Sequence, residues 1–346
     1  MPPPPGGIGL QAELFLRYLE GVKCPVGSIR TNYEWNGVWR PLGQIRFLRG
    51  IIRALVFYAR ALRQIPGTNI LHVFSGSGGN YFLYTVPSLL FGRMHGKKVI
   101  LHYHGGGARD FFNRYGLIAK RFLKYADRIL VPSRFLEKLF ADFGVRTTVL
   151  PNILEMDRFP YRERVCFRPR FIVTRHLEPV YDVGCAIRAF SMVVKKYPEA
   201  HLMVLGEGSE RVLLEDLAKE LGVAESLTFA GNIPNEDVYG IYDESDIFLN
   251  SSRVDNFPVS ILEAFASGLP VISSDAGGIP YIVRDGETGV LFPAGNPVAM
   301  AGKMLSILGD QDMARRFSKQ GLQEVKKYSW ENVKGDLFRV YGYAGP

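Results

Sequence analysis

Ser251-Ser-Arg-Val-Asp255-Asn-Phe-Pro-Val-Ser-Ile-Leu-Glu263-Ala-Phe-Ala-Ser-Gly268-Leu-Pro-Val-Ile272 reads as the loop, helix and returning strand of one βαβ unit. The apolar run Ile247–Asn250 before it has the length of a buried strand. Pro258 suits the first turn of a helix, whose free amides at Val259 and Ser260 can face an anion such as a diphosphate. Gly268 stops that helix, and Pro270–Ser273 resumes as strand. Asp255 falls in the loop after the first strand and Glu263 in the helix. In an open α/β sheet ligands bind at the carboxyl ends of the strands, so this spacing places two carboxylates around one polar ligand. The spacing alone fits equally well a helix whose N-terminal acid serves its dipole and whose glutamate is exposed.

Outward from this block the alternation continues. Phe171–Thr174, His201–Leu205 and Leu227–Phe229 read as short buried strands. Val183–Tyr197, Glu210–Leu221 and Asn235–Ser245 carry the apolar period of helices. The pattern implies parallel βαβ units with helices on both faces. Earlier in the chain, Ile70–Phe74, Val99–Tyr103, Arg128–Val131 and Thr147–Leu150 read as strands, with helices at Gln11–Leu19 and Glu137–Phe143. Met1–Gly9 reads as the loop that follows a first strand, with no strand before it, so a truncated or mis-started reading frame is expected. The segment from Gly27 to Pro41 has no clear assignment. A chain of 346 residues exceeds one core. The Pro- and charge-rich stretch Pro151–Arg164 is the expected linker between two domains, 1–155 and 156–329.

Composition narrows the class. Apolar residues make up 47% and charged residues 22%, which is ordinary globular usage. Cys24, Cys166 and Cys185 are distant and odd in number, with no metal-ligand spacing, which argues against a disulfide framework and for a reducing, cytoplasmic setting. The start Met1-Pro-Pro-Pro-Pro-Gly-Gly is unlike a secretory signal. The long uncharged stretch Gln64–Gly92 is broken by Pro66, Pro87, Gly76, Gly78 and Gly79, and so reads as two shorter elements rather than a membrane span.

The net charge of +8 is uneven: residues 1–160 hold 22 Lys+Arg against 9 Asp+Glu, and the remainder is acidic. Arg46, Arg49, Arg53, Arg60 and Arg63 share one face of a helix, with Leu48, Ile52, Leu55, Ala59 and Leu62 on another. Arg114, Lys120, Arg121 and Lys124 gather likewise after Phe111 and Phe112. Such helices fit an anionic membrane surface, and equally a solvated face. No recognition motif accompanies the charge, so nucleic acid is not an expected partner.

The block from Ser251 resembles the signature of the family-4 retaining glycosyltransferases: two carboxylates separated by seven residues, then Ala-x-Ala-x-Gly-x-Pro-Val-Ile. Gly277-Gly-Ile-Pro280, Asp285-Gly-Glu-Thr-Gly-Val-Leu291, Leu205-Gly-Glu-Gly208, Phe229-Ala-Gly231, Asp246-Ile-Phe-Leu-Asn-Ser-Ser252 and Tyr328-Ser-Trp-Glu331 follow the family's order. So do Gly6-Gly-Ile-Gly9, His102-Tyr-His-Gly-Gly106 and Leu150-Pro-Asn152. The resemblance implies a GT-B fold, two Rossmann-like domains facing a central cleft. Residues 1–155 would bind the acceptor and 156–329 the nucleotide sugar, with 330–346 returning to the first domain. It implies that Glu263 binds the donor ribose, that Asp255 (where the family usually has glutamate) lies beside the sugar, and that Arg175 pairs with the phosphates. His104 would face the donor sugar. Gly7, Gly9, Gly206, Gly208, Asn256, Phe257, Val259 and Ser260 would line the donor site.

The chain departs from the family where a lysine is usual, at Tyr181, and at the following Asp182, where glycine is usual. Arg253 is then the expected second cation for a leaving diphosphate. The implied reaction moves a hexose-type sugar to a hydroxyl with retention, in cell-surface polysaccharide or glycolipid synthesis. No metal or other cofactor is expected, the donor being the substrate. A sugar or lipid-linked acceptor and an anionic surface at the inner face of the plasma membrane are the expected partners. Two other readings stay open: a non-catalytic nucleotide-sugar-binding relative, and a GT-B-fold nucleotide-sugar epimerase.

Overall fold

A computed structural model describes residues 7–31, 46–234 and 237–343. The chain forms two compact units, Met1–Ile153 with Val333–Pro346, and Leu154–Asn332. The sequence-based boundaries were drawn after residues 155 and 329.

The first unit is built on a parallel sheet of β1 (Ile70–Ser75), β2 (Lys98–Tyr103), β3 (Arg128–Val131) and β4 (Thr148–Val149), in that order. Its helices are α1 (Gly7–Gly21), α2 (Arg46–Gln64), α3 (Val86–Met94), α4 (Ala108–Leu123) and α5 (Arg134–Asp142). Val99, Ile100 and Leu101 are all fully buried, as expected of a strand covered on both faces. Helix α5 starts before the expected Glu137 because Ser133 caps it, its Oγ accepting from the Leu136 amide at 3.3 Å. The uncharged stretch 64–92 is divided, into four elements and not the expected two: a 3₁₀ turn (Ile65–Gly67), β1, a π turn (Tyr81–Thr85) and α3.

Two expectations for this unit are corrected. Helix α1 already begins at Gly7, so Gly7 and Gly9 sit in its first turn and not in a loop. Residues 1–6 of the expected loop, and most of the unassigned Gly27–Pro41 segment, lie outside the described residues. In α2 the core face is Ala54, Phe57, Ala61 and Ile65, just beyond the helix, while Leu55, Ala59 and Leu62 of the expected apolar stripe are exposed.

The second unit holds β5 (Arg170–Thr174), α6 (Val183–Val194), β6 (His201–Leu205), α7 (Arg211–Glu220), β7 (Leu227–Gly231), α8 (Val238–Glu244), β8 (Ile247–Asn250), α9 (Val259–Ala266), β9 (Val271–Ser274) and β10 (Gly289–Phe292). These are followed by α10 (Pro297–Gly309) and α11 (Gln311–Val325). All ladders are parallel, in the order β10-β9-β8-β5-β6-β7. The chain winds outward from β5 through β6 and β7, then returns to β5's other side with β8. Helix α12 (Trp330–Tyr341) ends the chain, and its residues from Val333 onward belong to the first unit. There Tyr341 Oη is hydrogen-bonded to His72 Nδ1 at 2.7 Å.

One buried cation ties the linker to this second core. The Arg164 side chain is almost wholly buried. Its guanidinium donates to the carbonyls of Tyr242 (3.0 Å), Ser245 (3.0 and 2.8 Å) and Ser267 (2.6 Å), which close α8 and α9. Terminal carbonyls without helical partners need such donors. Asp246, also buried, faces it at 3.4 Å.

Candidate functional site

The reversal of strand order between β5 and β8 leaves a crevice at their carboxyl ends, where open α/β sheets bind ligands. Arg175 is the first residue after β5. Its amide donates to the Leu205 carbonyl at 3.0 Å, which fixes the backbone as it leaves the sheet. Its Nε donates to Asn250 Oδ1 at 3.0 Å, at the end of β8, and its Nη2 lies 3.1 Å from Asp255 Oδ2. The guanidinium also lies over the Tyr181 ring, 5.4 Å from its centre. Asn250 is held in turn by Ser252 Oγ, which donates to its Oδ1 at 2.8 Å, and by donation from Nδ2 to Ser273 Oγ at 2.8 Å.

Both carboxylates of the opening block reach this crevice. Burial pushes the Asp255 carboxyl up, opposed by Arg175 and by the amides of Phe257 and Asn256; the Phe257 amide donates to Asp255 Oδ1 at 3.1 Å. Burial likewise raises Glu263, opposed by a hydrogen bond from Tyr242 and by the charges of Arg175 and Arg158. The Tyr242 hydroxyl donates to Glu263 Oε2 at 2.8 Å and is itself 2.8 Å from Thr174 Oγ1. Arg175 therefore acts on both acids, and a chain of hydroxyls runs from β5 to α9. The bland alternative of an exposed glutamate is excluded.

The start of α9 has the character the sequence suggested. Pro258 precedes it in extended conformation and no side chain caps the first turn. Ser260 Oγ is buried with no hydrogen-bond partner among the described residues. A buried hydroxyl left unpaired beside free amides is costly unless something polar joins it.

The remaining candidates divide by what they do. A side chain on Gly206 (φ +131°) would put Cβ 2.0 Å from the Arg175 carbonyl, and one on Gly208 would meet the Leu177 carbonyl at 2.3 Å. These glycines let the β6 loop press against the backbone that carries Arg175. Phe257 does not offer its ring to a ligand: it is buried and packs edge-on against Tyr328, with ring centres 5.3 Å apart. Asn256 is buried too, its carbonyl covered by Gly278. Arg253 is directed to Asp182, Nε to Oδ2 at 2.8 Å, and is largely exposed. Asp182 takes the left-handed conformation (φ +45°) at the turn into α6, where glycine is least strained.

His104, Gly7 and Gly9 belong to the first unit and every other candidate to the second. His104 follows β2, its amide donating to the Ser75 carbonyl at 2.8 Å, and its ring lies against His102 with centres 4.2 Å apart. Burial lowers its pKa to about 3, so it is a neutral imidazole at pH 7.

Sequence reasoning missed Thr174, Tyr242 and Asn250 as parts of the site. Tyr242 sits on an ordinary apolar helix face, and nothing local marks it as a partner of Glu263. Gly277 and Gly278 were quoted only as motif. Side chains there would collide with the Asp255 and Asn256 carbonyls, at 2.3 and 1.9 Å, so they shape the loop that aims Asp255.

Comparison with known proteins bears on the family and the fold. Residues 168–324 match the family described as glycosyl transferases group 1, and residues 24–158 match glycosyltransferase family 4. A D-inositol 3-phosphate glycosyltransferase of Corynebacterium urealyticum is 32% identical over 162 residues, 45% of this chain and 38% of that protein. A phosphatidyl-myo-inositol mannosyltransferase of Mycobacterium leprae is 26% identical over 204 residues, 57% of this chain and 54% of that protein. The chain thus spans about half the length, or less, of these curated relatives. Among solved structures, Anabaena HepE in complex with UDP-glucose superposes with a TM-score of 0.75 at 16% identity, covering 98% of this chain and 96% of that one. Sucrose-phosphate synthase from Thermosynechococcus elongatus gives 0.71 at 21% identity, covering 85% and 78%. Two Rossmann-like parallel sheets, two consecutive family matches and these neighbours lead to one conclusion: the chain belongs to the group 1, family 4 glycosyltransferases and has the GT-B fold.

Proposed function

We propose that this chain moves a hexose-type sugar from a nucleotide-diphosphate sugar to a hydroxyl acceptor, with retention at the anomeric carbon. The carrying observation is one arginine, Arg175, fixed by Asn250 and paired with Asp255, its charge also felt by Glu263, beside the uncapped start of α9. Arg175 and the amides of Val259 and Ser260 hold the donor diphosphate, and Ser260 Oγ gains its missing partner there. Glu263, oriented by Tyr242, accepts from the ribose hydroxyls. Asp255 stands by the sugar.

In the reaction the bond from C1 to the phosphate oxygen breaks and a bond from C1 to the acceptor oxygen forms on the same face. The acceptor proton passes to the leaving phosphate oxygen, so no protein base is required. Positive charge preset at the leaving group lowers the barrier, which is what Arg175 supplies. Arg253 adds a second, weaker contribution, since Asp182 offsets part of its charge. We propose that transfer is metal-independent. The second unit takes the donor and the first the acceptor, with His104 a catalytic residue carried by the first. The acceptor is a sugar or lipid-linked sugar of cell-surface polysaccharide or glycolipid synthesis, met by a cytoplasmic enzyme at an anionic membrane surface. Two names support the choice of classes: HepE was solved with UDP-glucose, and the M. leprae relative is a phosphatidylinositol mannosyltransferase.

Titration calorimetry with UDP, GDP and ADP tests the donor site. One nucleotide is expected to bind, and Arg175→Ala and Glu263→Ala to weaken it about tenfold or more. Binding of none of the three sinks the proposal. Binding without turnover on any hydroxyl acceptor supports a non-catalytic relative instead, and conversion of donor alone supports an epimerase. Turnover that falls on adding EDTA removes the metal-independent part.

A further inference from the structure

We propose that the outer surface of α2, α3 and α4 is the face by which the first unit docks on an anionic lipid bilayer. The inference deepens the membrane part of the function above and rests on it only for its purpose; the surface itself is read from exposure and charge.

Helix α2 is apolar on more than its core side. Ala54, Phe57 and Ala61 are buried, yet Leu55 is 60% and Leu62 55% exposed, on a line beside that face, with Arg60 and Arg63 on the far flank. Helix α4 repeats the arrangement: Phe111, Phe112 and Ala119 are buried, while Leu117 is 94% and Ile118 57% exposed among Arg114, Arg121 and Lys124. Met94, at the end of α3, is 76% exposed.

These residues form one layer. The Tyr58 hydroxyl of α2 donates to the Leu83 carbonyl in the π turn before α3 at 2.6 Å, and Phe82 of the same turn packs on Phe111 and Tyr115 of α4, ring centres 5.8 and 5.6 Å apart. All the crossovers β1-β2-β3 run between adjacent parallel strands, so their right-handed connections put α3 and α4 on one side of the sheet.

Charge selects the occupant. Between Glu34 and Asp110 the sequence has no acidic residue and ten Lys or Arg. Asp110, exposed in the first turn of α4, is the one acid on these three helices, and large exposed aliphatics rimmed by predominantly positive charge mark an interaction surface. A folded protein partner would have to bring a complementary acidic rim and cavities for five separated side chains. An anionic bilayer needs only a flat interface, into which aliphatic side chains dip while arginines stay at the headgroups. No described helix is long and apolar enough to cross a membrane, so the mode is lying on the surface.

Co-sedimentation with vesicles of phosphatidylcholine alone, and of phosphatidylcholine with phosphatidylglycerol, tests this on the full chain. Binding is expected only with the anionic lipid and is expected to fall with salt. The combined variant Leu55→Gln, Leu62→Gln, Leu117→Gln, Ile118→Gln is expected to lose at least about tenfold in partition. Arg114→Gln with Arg121→Gln is expected to weaken binding and flatten its salt dependence. Thermal melting is expected to show both variants folded, and nucleotide calorimetry, which reads the other unit, to be unchanged in both. Nucleotide binding that fails in the wild type overturns the donor reading and leaves this one standing. Equal binding to both vesicles, full binding by folded variants, or a wild-type dimer in sedimentation velocity that the leucine variant abolishes, overturns it.

Discussion

At the scale of single residues, two arginines do opposite work. Arg175 stands at the edge of the crevice, where its planar fork divides between Asn250 and Asp255. Arg175→Lys keeps the charge and loses the fork. It is expected to cost about 10- to 100-fold in kcat/KM, the range for losing one or two charge-assisted hydrogen bonds, read by steady-state kinetics. An unchanged kcat/KM would remove the fork from the argument. Arg164 is wholly structural. Arg164→Met leaves Asp246 buried without it and removes the guanidinium's hydrogen bonds to three helix-terminal carbonyls, of which that of Ser267 has no other donor among the described residues. A loss of about 3–5 kcal/mol is expected in denaturant unfolding, with Arg162 and Arg168 near Asp246 limiting the damage. At this scale Arg175, Asp255 and Glu263 were legible from their motif. Tyr242 and Asn250 were not, because a tyrosine or asparagine acquires a role only from the partner that folding brings to it.

At the scale of elements, the site depends on loops that touch. Gly206 and Gly222 both have positive φ, but a side chain at Gly222 meets nothing within 4 Å, whereas one at Gly206 strikes the Arg175 carbonyl. Both alanine variants carry a backbone cost of roughly 1–2 kcal/mol. Only Gly206→Ala is expected to weaken nucleotide binding beyond its effect on melting, as calorimetry beside thermal unfolding will show. Equal binding by the two variants would deny that this loop positions Arg175. Most strands were legible here: Ile247–Asn250, His201–Leu205 and Arg128–Val131 have the predicted bounds. The face of α2 was not. Its leucines have helical spacing on two sides, and periodicity cannot say which side meets a core and which meets something else.

At the scale of the molecule, the first unit holds a cluster whose protonation opposes folding. Burial lowers His72 and His104 to about 3 and His102 well below its ordinary value, with His104 also acting on both others. The unfolded chain titrates near the ordinary imidazole value, about 6.5. Above that pH neither state binds these protons, so the cluster is neutral to stability. As pH falls below it, the unfolded state takes up protons that the folded state refuses. Each histidine then removes up to about 1.4 kcal/mol per pH unit. The melting temperature is expected to drop between pH 6.5 and 5, and His102→Phe, which keeps a ring against Phe15 and Phe74, to drop less steeply. Parallel curves would show that the histidines are not the cause. The Tyr341 contact to His72 places the chain's last helix in this same cluster.

The sequence by itself determined the alternation of strands and helices, the parallel sheets, the family motif and the acids and arginine of the candidate site. Each of these is a matter of local period or of residues close along the chain. Tertiary structure alone decided the strand order that opens the crevice between β5 and β8, and the hydroxyl chain from Thr174 through Tyr242 to Glu263. It also decided which leucines of α2 stayed outside the core. The physical reason is that pairing and burial join residues tens of positions apart, and spacing along the chain carries no record of which partner wins.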